Sequence, residues 1–202
     1  MNKNLRVKSS EYIDETNRIS FKFNGKTYHG FKGDTLASAL LANDVHLVGR
    51  SFKYHRPRGI MTSGSEEPNA IVQINPGTNR TEPNVRATEV EIYEGLEASS
   101  QNCWPSVEFD IGGINNFLSP FFPAGFYYKT FMWPASFWEK YEFFIRHSAG
   151  LGKSPTSSDP DIYDHRNIHC DVLVVGAGIS GILAAKNACL LYTSDAADDL
   201  LC

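Results

Sequence analysis

Gly176, Gly178 and Gly181 are the residues whose type and spacing most directly imply chemistry. They stand at G-x-G-x-x-G spacing, after the apolar run Val172-Leu-Val-Val175 and before the helix-forming Ile182-Leu-Ala-Ala185. A strand, a glycine turn and a helix N-terminus in that order make a cradle for a pyrophosphate. The first glycine permits the turn. The second admits the backbone to the phosphates without a Cβ in the way, and the third lets the helix pack on its strand. Free N–H groups and the positive end of the helix dipole complete the anion site. The expected dinucleotide-binding residues are Gly176, Gly178 and Gly181, with Ala177, Ile179 and Ser180 lining the turn. The alternative is a glycine-rich turn with no ligand.

A dinucleotide fold also uses an acidic residue about twenty positions on, closing a second strand, to hold the ribose. Asp198 and Asp199 lie near that distance. The run Tyr192-Thr-Ser-Asp-Ala-Ala-Asp198 before them is polar and lacks period-two apolar patterning, so neither is assigned the role. Cys103 and Cys170 are far apart, and no cysteine has metal-ligand spacing, so no metal site is expected. No nucleophile–base or carboxylate pair stands out, and no catalytic residue is assigned.

The elements that position these residues follow from patterning. Ile19, Phe21 and Phe23 alternate with polar residues, Asn24-Gly25 signals a type I′ turn, and Lys26-Thr-Tyr-His29 returns, so 19–28 reads as a hairpin. Gly33-Asp34 begins a helix, with Asp34 as cap and Leu36, Ala39, Leu40 and Ala42 on its apolar face. Ala70–Ile74 and Thr88–Tyr93 read as two further strands. The order ββ-α-β-β suits a β-grasp domain.

Between helix and third strand, Arg50-Ser-Phe-Lys-Tyr-His-Arg-Pro-Arg-Gly59 concentrates basic side chains around Phe52 and Tyr54. It reads as a contact for an anion or a partner subunit, with a solvated loop as the alternative. Partner contact is favoured, because the interleaved aromatics are costly to leave exposed. Phe117 to Phe144 is crowded with aromatics, broken by Pro120, Pro123 and Pro134. It suits packing in a core or against further domains rather than a membrane span. The Gly-, Ser- and Pro-rich Leu151–Pro160 reads as a linker.

These signals divide the chain into an N-terminal extension (1–18), a β-grasp domain (19–98), an aromatic-rich connector and linker (99–168), the first β-turn-α of a Rossmann α/β domain (169–188) and a tail (189–202). The fold class is α+β. The codons TGT CTC TTA TAC ACA TCT GAC GCT GCC GAC would encode Cys189 through Asp198 and resemble a transposase-type sequencing-library adapter. The tail is therefore expected to be foreign and the Rossmann unit truncated.

At 202 residues, with 42% hydrophobic and 21% charged side chains, the chain has the composition of an ordinary globular protein. A net charge of -4 gives no reason to expect nucleic acid as a partner. Met1–Ser10 lacks the apolar region of a signal peptide, and no apolar run is long enough to span a bilayer, so a cytoplasmic location without membrane contact is expected.

Five segments together resemble the N-terminal part of the α subunit of heterotetrameric sarcosine oxidase. They are Gly33-Asp-Thr-Leu-Ala-Ser-Ala-Leu-Leu-Ala42, Arg50-Ser-Phe-Lys-Tyr-His-Arg-Pro-Arg-Gly-Ile-Met61, Gly64-Ser-Glu-Glu-Pro-Asn-Ala70, Phe126-Tyr-Tyr-Lys-Thr-Phe-Met-Trp-Pro-Ala135 and His169-Cys-Asp-Val-Leu-Val-Val-Gly-Ala-Gly178. They occur in family order and spacing. The resemblance implies a cytoplasmic complex in which this subunit meets β, γ and δ partners. That complex oxidatively demethylates N-methylglycine to glycine and a one-carbon unit, taken up by tetrahydrofolate or released as formaldehyde, with H2O2 as co-product. It implies FAD and FMN for the redox work, NAD in the α-subunit Rossmann domain and amine oxidation in the β subunit. It also implies an α subunit several times longer than this chain. The fragment itself is expected to be inactive and to bind NAD weakly or not at all.

Cluster-bearing relatives of this β-grasp domain, such as amino-acid and opine dehydrogenase subunits, hold a [2Fe-2S] centre on C-x4-C-x2-C spacing. After Pro57-Arg58-Gly59 that spacing falls on Thr62, Glu67 and Ala70, none of them cysteine. The resemblance thus implies a ferredoxin-like scaffold without a [2Fe-2S] cluster. The alternatives are a subunit of a related flavin-dependent amine or opine oxidoreductase and a non-catalytic β-grasp interaction module.

Overall fold

The computed structural model describes residues 5–6, 13–121, 125, 133–152 and 154–192. The chain divides into two compact units, residues 1–160 and 161–202. In the first unit, β1 (Asp14–Phe23) and β2 (Lys26–Lys32) form the expected antiparallel hairpin. Asn24 and Gly25 sit at φ 50° and 76°, the left-handed pair that a type I′ turn requires. Asn24 also ties in a third strand, β7 (Glu97–Ser100): its side-chain amide donates to Ser100 Oγ at 3.0 Å, and its Oδ1 accepts from Ser100 N–H at 2.8 Å.

β1 begins within the stretch expected to be an N-terminal extension, with a bulge between Asp14 and Arg18. Still earlier, the N–H of Leu5 donates to the Ala42 carbonyl at 3.1 Å. Leu5, Arg6 and the strand residues from Asp14 onward therefore pack with the domain.

Helix α1 (Leu36–Ala42) buries Leu36, Ala37, Ala39 and Leu40. Its cap is Thr35, whose hydroxyl accepts from Ser38 N–H at 3.2 Å, and not Asp34 as the sequence suggests. Asp34 is fully buried. It accepts from Phe31 N–H at 2.9 Å and Ser38 Oγ at 2.8 Å, and it takes the guanidinium of Arg6. An aspartate with those partners stabilises the hairpin-to-helix junction rather than a free helix end.

The remaining strands of the sheet are β5 (Ile71–Ile74) and β6 (Glu82–Arg86), and the order is β2-β1-β7-β5-β6. β7 runs parallel to β1, and the other neighbours pair antiparallel. Two central parallel strands with a helix packed on the sheet give the β-grasp arrangement. A separate two-stranded ladder, β3 (Gly49–Arg50) with β4 (Pro57–Arg58), closes the basic loop.

The strand expected at Thr88–Tyr93 is absent: only an isolated bridge joins Glu91 to Thr35. The reason lies in competing hydrogen bonds. Leu36 N–H donates to Val90 O at 2.7 Å, Ala37 N–H to Ala87 O at 2.9 Å, and Ile92 N–H to Asp34 O at 3.0 Å. The segment satisfies the open N-terminal amides of α1, which would otherwise lack partners. Its apolar alternation survives as packing, with Ile92 buried and Val90 against the core. The real strands flank it at 82–86 and 97–100.

The core gathers Phe21 and Phe23 from β1, Leu36 and Leu40 from α1, Val72 from β5 and Leu96 before β7. The connector that follows holds 3₁₀ turns at Ile111–Asn116, Ser119–Phe121 and Ala135–Phe137, then α2 (Trp138–Ser148). Core packing is not what its described aromatics do: Phe117, Phe121, Trp133 and Phe144 are 83%, 77%, 82% and 70% exposed. Residues 126–132 of the aromatic motif lie outside the described residues.

The second unit carries α3 (Ile179–Tyr192). Val172–Val175 enters no ladder, and Leu173 and Val175 are exposed. A central parallel strand exists only where neighbouring strands supply hydrogen-bond partners on either side. No such partner stands beside this run among the described residues. The helix continues through Cys189 into the stretch expected to be foreign, while residues 193–202, with Asp198 and Asp199, lie outside the described residues.

Candidate functional site

The glycine turn keeps part of the expected geometry. Gly176 sits at φ 103°, a conformation a side chain disfavours. A Cβ on Gly181 would collide with the carbonyl oxygen of Gly176, so the third glycine is required for the close approach of helix and turn. Nothing lies within 4 Å of where a Cβ on Gly178 would stand, so the middle position is open. Ile182 N–H donates to Gly178 O at 2.9 Å in the first helical turn. Gly176 to Gly181 are therefore brought together as a turn, while the strand and the ribose-binding acid that would complete a dinucleotide site are not seen among the described residues.

The loop 61–70 carries the more developed constellation. Glu67 is 1% exposed. Its Oε2 accepts N–H bonds from Met61 at 2.8 Å and Thr62 at 2.6 Å, and a bond from the Thr62 hydroxyl at 3.2 Å. Its Oε1 accepts from Asn69 N–H at 2.8 Å and Ala70 N–H at 3.1 Å. Burial pushes this carboxyl up, but the amides of Thr62, Asn69, Met61 and Ala70 outweigh it and hold the pKa below its ordinary value of 4.5. Thr62 and Ala70 occupy the outer positions of the cluster spacing, and Glu67 the middle one. Three such side chains provide no thiolate, and the carboxylate already occupies the amides, so these residues do not fit a [2Fe-2S] centre. The sequence showed only that Glu67 is not cysteine; that its carboxylate turns inward depends on the loop's path.

Arg50, His55 and Arg56 of the basic loop engage their own chain, while Phe52 and Arg58 stay exposed. Arg50 donates from Nε and Nη2 to Val107 O at 2.8 and 2.6 Å, and from Nη1 to His55 O at 3.2 Å. His55 Nδ1 lies 2.6 Å from Asp110 Oδ2, with both side chains nearly buried. Arg56 donates to Asn116 Oδ1 at 2.7 Å. These charges clamp the loop to residues 107–116, a contact that the local charge pattern did not reveal. Asp110 is already engaged by the N–H groups of Trp104 and Gly112 at 3.0 and 3.1 Å, which makes the His55 pair an anchor.

A cavity of about 140 Å³ lies beside this clamp, lined by Arg50, Arg58, Asn69, Gln101 and Asn102 among others. It is too small for a dinucleotide, since ligand pockets usually run from about 300 Å³ upward. Among the described residues no group of three or more His, Cys, Asp or Glu side chains could hold a metal ion, and no helix is long and apolar enough to cross a membrane.

The family described as 2Fe-2S iron-sulfur cluster binding domain matches residues 16–103, the span of the sheet and α1. Sarcosine oxidase subunit alpha of Rhizobium meliloti (strain 1021) is 59% identical over 184 residues, which is 91% of this chain and 18% of that protein. The chain is homologous to sarcosine oxidase subunit alpha. The sarcosine oxidase subunit alpha of Corynebacterium sp. (strain U-96) is 32% identical over 178 residues, covering 87% of this chain and 14% of its own. The chain thus spans less than a fifth of the length of these sarcosine oxidase relatives. A solved L-proline dehydrogenase from P. horikoshii is 22% identical with a TM-score of 0.35, covering 45% of this chain and 16% of that one.

Proposed function

We propose that this chain is a piece of the α subunit of a flavin-dependent oxidase that demethylates sarcosine to glycine and a one-carbon unit, with H2O2 as co-product. The observation that carries this is the 59% identity over nearly the whole chain to a sarcosine oxidase subunit alpha. In the enzyme proposed for this chain, FAD and FMN supply the redox chemistry, tetrahydrofolate accepts the one-carbon unit, and β, γ and δ subunits complete a cytoplasmic complex. The segment contributes a scaffold and the beginning of a nucleotide site, and catalysis lies elsewhere.

Gly176, Ala177, Gly178, Ile179, Ser180 and Gly181 are the start of an NAD site. The φ of Gly176 and the close approach of Gly181 to the Gly176 carbonyl support that reading. The exposed Trp104, Phe109, Ile114, Phe117 and Phe121 support burial of the connector within a larger assembly.

The experiment is to place residues 1–188 in a full-length α subunit, assemble it with the other subunits, and measure sarcosine-dependent oxygen uptake and bound NAD. Uptake with sarcosine and retention of NAD are expected, and Gly178→Val should remove the NAD. A complex that assembles but oxidises only other amines would favour a related amine or opine oxidoreductase. The 202-residue chain alone should show no saturable NAD binding by fluorescence titration.

A further inference from the structure

The amides around Glu67 form a site in their own right. Four backbone N–H groups, from Met61, Thr62, Asn69 and Ala70, converge in two pairs on one buried carboxylate. A carboxylate removed from water costs heavily unless its charge is met. Among the described residues its hydrogen-bond partners all come from the loop itself, so the loop's oriented amides meet the charge, as in a backbone anion nest. The framework is independently held: Thr88 Oγ donates to Gly64 O at 2.7 Å, Arg86 Nε to Glu67 O at 3.2 Å, and Ala87 N–H to Ala70 O at 2.9 Å.

The charged groups packed around the loop do not replace that arrangement. Glu66 turns its carboxylate back over Gly64. Arg86 bonds the Glu67 main chain and pairs with Glu89. Arg58 shares a cavity wall with Asn69. The His46 carbonyl abuts Gly59, while its ring pairs with Asp44.

We propose that the loop 61–70 is an oxyanion cradle that this chain fills with its own Glu67 carboxylate, at the place where cluster-bearing domains of this fold hold iron and sulfide. The ligand class is a small carboxylate, and the resident side chain is that ligand. The cradle is a folding device independent of the amine the parent enzyme oxidises, so its test reads folding and metal content rather than activity.

The experiment uses the 202-residue chain. Glu67→Ala leaves four N–H groups, that of Ala70 buried and the others part-buried, without their acceptor and should lower the thermal unfolding midpoint by roughly 10 °C at neutral pH. Added formate, but not chloride at equal ionic strength, should raise that midpoint in a saturable way and leave the wild type unmoved. Glu67→Gln keeps the size and loses the charge; it should unfold below the wild type at neutral pH and converge with it in acid. Anaerobic incubation of the wild type with ferrous iron and sulfide should leave no stoichiometric iron bound. Equal midpoints for wild type and Glu67→Gln at neutral pH overturn the proposal, as does a Glu67→Ala midpoint indifferent to formate, or stoichiometric iron and sulfide on the wild type. If Glu67→Ala does not fold, the glutamine comparison and the iron measurement still decide.

Discussion

Arg6 reaches across 28 residues of chain to set two guanidinium nitrogens on the carboxylate of Asp34, at 2.5 and 3.0 Å. The Asp34 side chain is fully buried and that of Arg6 is 12% exposed, so the pair is shielded from water. Removing one partner strands a buried charge, which usually costs more than the intact pair contributes. Arg6→Ala should therefore destabilise the domain by about 3 kcal/mol, measured by urea unfolding. Arg6→Lys should recover only part of the loss, because an ammonium cannot make the two-pronged contact.

Gly30 is required for a second close approach. A Cβ there would lie 2.5 Å from Ile92 Cδ1 and 3.1 Å from both Ala39 Cβ and Asp34 Oδ2. The site is walled by β2, α1 and the segment after β6. Gly30→Ala should cost about 1–3 kcal/mol through overpacking, read as a lower unfolding midpoint. Gly77→Ala should be milder, because nothing lies within 4 Å of its Cβ position and only the positive φ of 80° opposes it.

The Glu67 carboxyl links stability to pH. Its folded pKa lies below the ordinary 4.5, so the unfolded chain binds the proton more readily. The stabilisation is fully present above about pH 4.5 and is lost as pH falls through the lowered folded value. The stability difference between wild type and Glu67→Gln, followed by denaturant unfolding from neutral pH downward, should shrink over that acid window. A difference that grows with acid would contradict the sign.

Cysteine reactivity should separate the two units. Burial raises the Cys103 thiol, and Asp110 raises it further, so little thiolate is present at neutral pH. Cys170 is exposed. Iodoacetamide followed by peptide mass analysis should label Cys170 well before Cys103. Asp110→Asn should speed labelling of Cys103 by weakening one of the effects that hold its proton.

The basic loop offers a check on the clamp. A Cβ on Gly112 would run into the His55 ring. Gly112→Ala should displace His55 from Asp110 and raise amide hydrogen exchange over residues 105–116, with β1 and β7 unchanged. Equal protection in variant and wild type would show that the Arg50 bonds suffice alone.

Local chemistry made several features legible. The Asn24-Gly25 turn can take its two left-handed residues in few other ways, and Leu36, Ala39 and Leu40 recur at a helix period that needs a buried face. The G-x-G-x-x-G spacing likewise announced the turn at Gly176. The Thr88–Tyr93 stretch misled because alternation specifies which side chains are buried, but not where the backbone N–H and C=O groups go. Those groups serve α1, whose open amides compete with any strand partner. Asp34 misled similarly: its position suggests a cap, yet Arg6 and Phe31 claim its oxygens.

From the sequence alone came the hairpin, the apolar face of α1, the glycine turn, the lack of cluster cysteines and the sarcosine oxidase resemblance, because each rests on residue type at short range. Only the tertiary structure decided that β7 lies parallel beside β1, that the charges of the 50–58 loop bind residues 107–116, and that Glu67 turns inward to collect four amides. Those outcomes depend on which distant groups share a desolvated space. A buried charge or amide must find its partner there, however far along the chain that partner lies.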